Sequence, residues 1–159
     1  MDVMIPAVKR LPSVARAKDV PVVFTTTAYA VTEGPNTDMG LSHHKIPVEV
    51  LQLGTDAVAI PERIAPEPGE RVIVKKRASA FGVAMASCVR HTVEDVVAEG
   101  FRPIVVRECI GDRVAGAVEW NLFEIDAKFG DVEPLDRVLE YLEARGSEHH
   151  ARTVAATGD

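Results

Sequence analysis

Lys75 closes the run "RVIVKK" (71–76), and Cys88 opens "CVRHTVEDVVAEG" (88–100) shortly downstream. The first stretch has the composition of a strand and the second that of a helix, which puts the thiol at a helix amino end. Unpaired N–H groups and the positive end of the helix dipole favour an anion there. A thiolate is the reactive form of cysteine, and a nearby ammonium stabilises it. On chemistry alone, however, a lone cysteine is more often a small buried hydrophobe than a nucleophile. Lys75, with Lys76 beside it, reads equally well as a solvated strand end, and Arg113 in "GDR" as a surface ion pair with Asp112 or Glu108.

Those side chains need elements to position them. "AVKRLPSVARAKDV" (7–20) carries apolar residues at 7, 8, 11, 14 and 15, the pattern of an amphipathic helix, with Pro12 an awkward member. "PVVFTTT" (21–27) is bounded by proline and rich in β-branched residues, so it is expected to be a buried strand. From Ala28 to Glu70 the density of Gly and Pro implies a long excursion broken only by short helices, and such excursions usually cover a site. "RVIVKK" is the second strand. The helix 88–100 is closed by Gly100 and places Val89, Val93, Val96 and Val97 on one face. "RPIVVREC" (102–109) is the third strand. "AVEWNLFEIDAKFG" is helical, with Trp120, Phe123 and Phe129 expected to pack it, and "DVE" is briefly extended. "PLDRVLEYLEARG" is a last helix opened by Pro134 and stopped by Gly146. The expected division is one domain over 1–145 and a disordered tail over 146–159.

Strands alternating with helices point to an α/β fold with a mostly parallel sheet covered on both faces. In such folds sites lie at the carboxyl ends of the strands, and both Lys75 and Cys88 fall at that edge.

Composition narrows the partners. The 159 residues carry a net charge of −6 and no long Lys/Arg run, which argues against nucleic acid. No apolar stretch reaches the ~18 residues of a membrane span and no secretory leader is evident, so the expected place is the cytoplasm. Two cysteines, Cys88 and Cys109, are too few for a disulfide framework. Cys109, at a buried strand end, is expected to be structural. His43, His44, His91, His149 and His150 lack ligand spacing, so no metal is expected. No G-x-G-x-x-G phosphate cradle is present either, and no cofactor is implied.

Several stretches together, "PVVFTT", "KKRASAF" (75–81) and "SCVRHTVEDVVAEGFRPIVVRECIGDRVAGAVEWNLFEIDAKFGDVE" (87–133), resemble the isochorismatase-like cysteine hydrolases, and within them the N-carbamoylsarcosine amidohydrolase branch. The resemblance runs from about Ala7 to Leu142. It implies the Rossmann-like three-layer fold, homo-oligomers that are tetramers in that branch, and an Asp, Lys and Cys triad. By position, Lys75 matches the catalytic lysine, Cys88 the nucleophile, and Arg113 the arginine that binds a substrate carboxylate. "GVAMASC" (82–88) resembles the turn whose amides, here those of Ala84 and Cys88, hold the oxyanion. The chemistry implied is hydrolysis of a small carboxylate-bearing amide or ureido compound through a thioester, with release of ammonia.

The sequence departs from that pattern twice. The family's Asp lies on an amino-terminal strand, whereas here the chain begins almost directly with the helix, and no residue matches the Asp. Relatives also place a helix and a strand between "SAF" and the glycine of the cysteine turn, whereas here Phe81 runs straight into Gly82. A shortened product, a degenerate paralogue and a chain that depends on another polypeptide all fit. The flanking strands must then close up or expose backbone and apolar surface. An amidohydrolase and a catalytically impaired binding or assembly protein are therefore both consistent with the sequence.

Overall fold

Apolar residues at positions 7, 11, 14 and 15 make one stripe along helix α1 (Met4–Ala17), and that stripe decides where the helix lies. In the computed structural model, which describes residues 4–33, 37–38, 50–76, 86–112 and 114–156, Ala7, Leu11 and Val14 pack against Val106, Leu135 and Leu139. Pro12 sits inside the helix, where it removes one backbone donor. The helix stops at Ala17, short of Val20, because Asp19 turns left-handed (φ 56) and Val20 N–H bonds back to Ala15 O at 2.9 Å.

Strand β1 (Val23–Thr27) follows and pairs in parallel with β2 (Arg71–Lys75), Thr27 opposite Lys75. The excursion between them returns beneath β1: Tyr29 is fully buried and pairs with Gln52 in a single parallel bridge. Thr26 Oγ1 donates to Val58 O at 2.7 Å. After β2 come α2 (Ala86–Ala98) and β3 (Ile104–Val106). Gly100 closes α2 with φ 84, and Phe101 N–H bonds to Val96 O at 3.1 Å. Helix α3 (Ala115–Lys128) leads to β4 (Asp131–Glu133), which pairs in parallel with β3.

Successive residues of β3 point to opposite faces. Val105 enters a core with Val93, Leu122 and Ile125 from α2 and α3. Val106 enters the core of α1 and of the last helix, α4 (Leu135–Ala156). The β3–β4 pair thus lies between two helical layers, which is the expected α/β/α arrangement. The α4 amino end is capped by Glu108, whose Oε2 accepts from Leu135 N–H at 2.9 Å.

The described strands form two separate two-stranded parallel sheets. Four expectations need correction. Strand β3 ends at Val106, and Arg107–Cys109 is a 3-10 turn, so Cys109 lies in that turn and not at a strand end. Helix α4 runs past Gly146 to Ala156; a glycine stops a helix only when it turns left-handed, as Gly100 does, and otherwise continues it at a cost of about 1 kcal/mol. Trp120 and Phe123 do not pack the core: they are 62% and 61% exposed and lie against each other, ring centroids 5.8 Å apart. Val97 likewise faces outward, while Phe129 does join the core.

Leu122→Ala should therefore lower unfolding free energy by about 2–5 kcal/mol. Trp120→Ala should change it by about 0.5 kcal/mol or less. Urea titration of the two variants checks this contrast.

Candidate functional site

Strand β2 ends at the carboxyl edge of its sheet with two lysines that go different ways. Lys75, opposite Thr27, is only 8% exposed. Lys76 turns outward, and its Nζ donates to Asp38 Oδ1 at 2.7 Å. Consecutive side chains of extended backbone point to opposite faces, which separates the two lysines.

The interior lysine meets the cysteine. Lys75 Nζ stands 3.9 Å from Cys88 Sγ, the outer range of a hydrogen bond to sulfur. Cys88 is the third residue of α2, and the N–H groups of a helix's first turn have no partner within the helix. The half-buried thiol thus faces both the Lys75 side chain and the amino end of the helix. Thr92 Oγ1 donates to Cys88 O at 2.9 Å, which fixes the first turn. Below it, Val93 is buried in the core with Val105 and Leu122, so α2 cannot rotate the cysteine away without leaving its core contacts.

Cys109 is the contrasting thiol. Burial, and then the neighbouring Glu108 carboxylate, push it up to about 11, so it is protonated at neutral pH. The structure thus places one cysteine beside a cation and the other where a thiolate is disfavoured.

Arg113 and Ala84, expected to hold the substrate carboxylate and the oxyanion, lie outside the described residues, as do His43 and His44. Of the residues singled out from sequence, Lys75 and Cys88 are brought together. Among the described residues, no group of three or more His, Cys, Asp or Glu side chains stands close enough to hold a metal ion.

Asp38 is a residue that sequence reasoning missed. Its Oδ2 accepts from Ala30 N–H at 2.7 Å and Val31 N–H at 3.1 Å, while Oδ1 holds Lys76. It thereby ties the turn after β1 to the end of β2, one residue from Lys75. An aspartate among Gly and Pro residues commonly satisfies local backbone donors, and that was the available signal. The Lys76 ammonium, with the Val31 and Ala30 amides, holds the Asp38 carboxyl at about 2, below its ordinary value of 3.8. A depressed folded-state value stabilises above the unfolded value, and the contribution is lost as pH falls toward 2. Asp38→Asn should therefore melt below wild type at about pH 6, with the gap closing between about pH 4 and 2. Thermal melts across that range check the sign.

Residues 1–82 match the family described as Isochorismatase domain. An N-carbamoylsarcosine amidase from Arthrobacter sp is 49% identical over 167 residues, covering 91% of this chain and 63% of that protein. A maleamate amidohydrolase from Pseudomonas putida is 36% identical over 126 residues, covering 66% of this chain and 59% of that protein. The chain thus spans about three fifths of the length of these relatives. Among solved structures, a cysteine hydrolase from Pseudomonas syringae superposes with TM-score 0.77 at 18% identity, covering 90% of this chain and 81% of that one. An N-carbamoylsarcosine amidase from Thermoplasma acidophilum superposes with TM-score 0.67 at 18% identity, covering 84% and 83%. These two likenesses concern the fold.

Proposed function

The chain belongs to the isochorismatase family, and from that membership and the site we propose that it hydrolyses the C–N bond of a small carboxylate-bearing amide or ureido compound. The observation that carries this reading is the 3.9 Å approach of the Lys75 ammonium to the Cys88 sulfur at the start of α2. The names of the Arthrobacter and Pseudomonas relatives supply the substrate class, N-carbamoylsarcosine first and maleamate second.

In this mechanism the Cys88 thiolate attacks the amide carbonyl carbon and forms a C–S bond, and the carbonyl electron pair moves to oxygen. Backbone N–H groups at Cys88 and Ala84 receive that oxyanion. Collapse of the tetrahedral intermediate breaks the C–N bond. The nitrogen takes up a proton delivered through water and leaves as ammonia, and a thioester, or a thiocarbamate from a ureido substrate, remains on Cys88. Water then attacks the thioester, returns the thiolate and releases the acid. Lys75 keeps the sulfur charged in the resting state. Arg113 pairs with the substrate carboxylate, a planar fork suited to two parallel hydrogen bonds. The same reading places the protein in the cytoplasm as a homo-oligomer.

A second reading, a binding or assembly protein with impaired catalysis, is favoured by one observation: the described strands do not form a continuous sheet.

Ammonia release separates the two. The purified chain should liberate ammonia from N-carbamoylsarcosine or maleamate, and a neutral analogue without the carboxylate should be turned over at least about tenfold more slowly. Cys88→Ala should abolish release while leaving the melting temperature within a few degrees. Absence of ammonia from every carboxylate-bearing amide, with the fold intact, would leave the binding reading in place.

A further inference from the structure

Two groups of complementary reactivity stand at the amino end of α2. The Cys88 sulfur is half-buried, and the Lys75 amine lies 3.9 Å from it on a side chain that is almost wholly enclosed. A thiol reached by peroxide is oxidised to a sulfenic acid, whose electrophilic sulfur is then attacked by a neighbouring nucleophile, most often a second thiol. Here the second thiol belongs to a different layer of the fold. Cys109 packs with Ala7, Val106 and Leu139 on the α1 and α4 side of β3, whereas α2 packs through Val93 against Val105 on the opposite side. Cys109 is moreover held at about 11 and therefore stays protonated at neutral pH, which makes it a poor nucleophile.

The nitrogen nucleophiles narrow in the same way. Lys76 points outward, its Nζ held by Asp38 at 2.7 Å. Attack by a backbone amide beside Cys88 would open the first turn of α2, against the 2.9 Å bond from Thr92 Oγ1 to Cys88 O and the burial of Val93. Lys75 can close its remaining gap by rotation of a flexible side chain. A group held beside its reaction partner reacts as though at far higher concentration.

We propose that Cys88 and Lys75 form a reversible sulfur–nitrogen cross-link when the chain meets hydrogen peroxide, a covalent off-state of the same site. Cys88, as thiolate, attacks one peroxide oxygen. The O–O bond breaks, and hydroxide leaves and takes up the thiol's proton as water; sulfur is oxidised to the sulfenic acid and peroxide is reduced. The Lys75 ammonium gives a proton to water, and the free amine attacks that sulfur. The S–N bond forms and the S–O bond breaks, and the oxygen departs as water with a second proton from nitrogen. A dithiol reverses the link: its first thiol displaces the amine and forms a mixed disulfide, and its second thiol frees Cys88 and closes the reagent's own disulfide. While the link lasts, the sulfur is kept from the sulfinic acid, from which thiols do not return it. The regulatory meaning of the link rests on the hydrolase reading; its chemistry does not.

The test treats the full chain with hydrogen peroxide, digests it without reductant and maps the peptides by mass spectrometry. The product should be about 2 Da lighter than the starting chain. Its Cys88 and Lys75 peptides should be joined, and dithiothreitol should restore the original mass. Lys75→Arg should form no link, and dimedone, which traps sulfenic acids, should label its Cys88 at least about tenfold more than in wild type. Lys76→Met and Cys109→Ser should link as wild type does. Should Lys75→Arg fail to fold, the wild-type peptide map decides alone. Oxygen gained at Cys88 with Lys75 left unjoined, a link from Cys88 to Cys109 or to a backbone nitrogen, or unaltered dimedone labelling of Lys75→Arg would overturn the proposal. A chain that forms the link yet releases no ammonia from any amide would count against the hydrolase reading and leave the link standing. An active hydrolase that forms no link would do the reverse.

Discussion

Helix α1 lies over both half-sheets, and the arrangement of the molecule follows from how that helix is held. Its apolar stripe is buried against Val106, Leu135 and Leu139. At its other end Arg16 makes a two-pronged contact with Glu70, Nε to Oε1 at 2.7 Å and Nη2 to Oε2 at 2.8 Å, immediately before β2. Apolar burial provides most of the attachment, since ion pairs at partly exposed positions contribute little. The fork fixes direction, because both guanidinium nitrogens must meet both carboxylate oxygens at once. Glu70 is held below its ordinary carboxylate range, Arg16 being the main cause, so this contact persists at neutral pH.

The site depends on that fixed relation at one remove. Lys75 belongs to the half-sheet that Arg16 and Glu70 tie to α1, whereas Cys88 belongs to a helix whose core contacts, Val93 with Val105 and Leu122, lie in the other half. An ammonium at 3.9 Å from a sulfur is therefore a contact between two halves that no described strand joins. Asp38 adds a local restraint by directing Lys76 outward, which leaves Lys75 to face inward. The proposed chemistry starts from the thiolate form of cysteine.

Much of this was legible in the sequence, for identifiable reasons. Gly100 announces the end of α2 because a left-handed residue is needed there, and "RVIVKK" marks a strand by its β-branched composition. Spacing alone did not reveal which face of α3 is covered. Trp120 and Phe123 look like core residues by type, yet Leu122 and Ile125 fill the space under the helix. Gly146 looked like a stop because residue identity does not fix φ. The split sheet was anticipated only as an alternative between closing up and exposure, and the outcome depends on how firmly α1 and α2 hold their own halves. Asp38 stayed unseen because its partners, two amides and Lys76, are set by the fold of the excursion. Ala84 and Arg113 remain assignments by resemblance.

The proposed function rests on Cys88, 3.9 Å from Lys75 Nζ, being the reactive thiol of the chain. Alkylation by iodoacetamide at about pH 6, followed peptide by peptide by mass spectrometry, measures it directly. Cys88 should label at least about tenfold faster than Cys109, whose thiol burial holds at about 11, and Lys75→Met should slow Cys88 severalfold without affecting Cys109. Equal slow labelling of both cysteines, or a Cys88 rate indifferent to Lys75→Met, would contradict it.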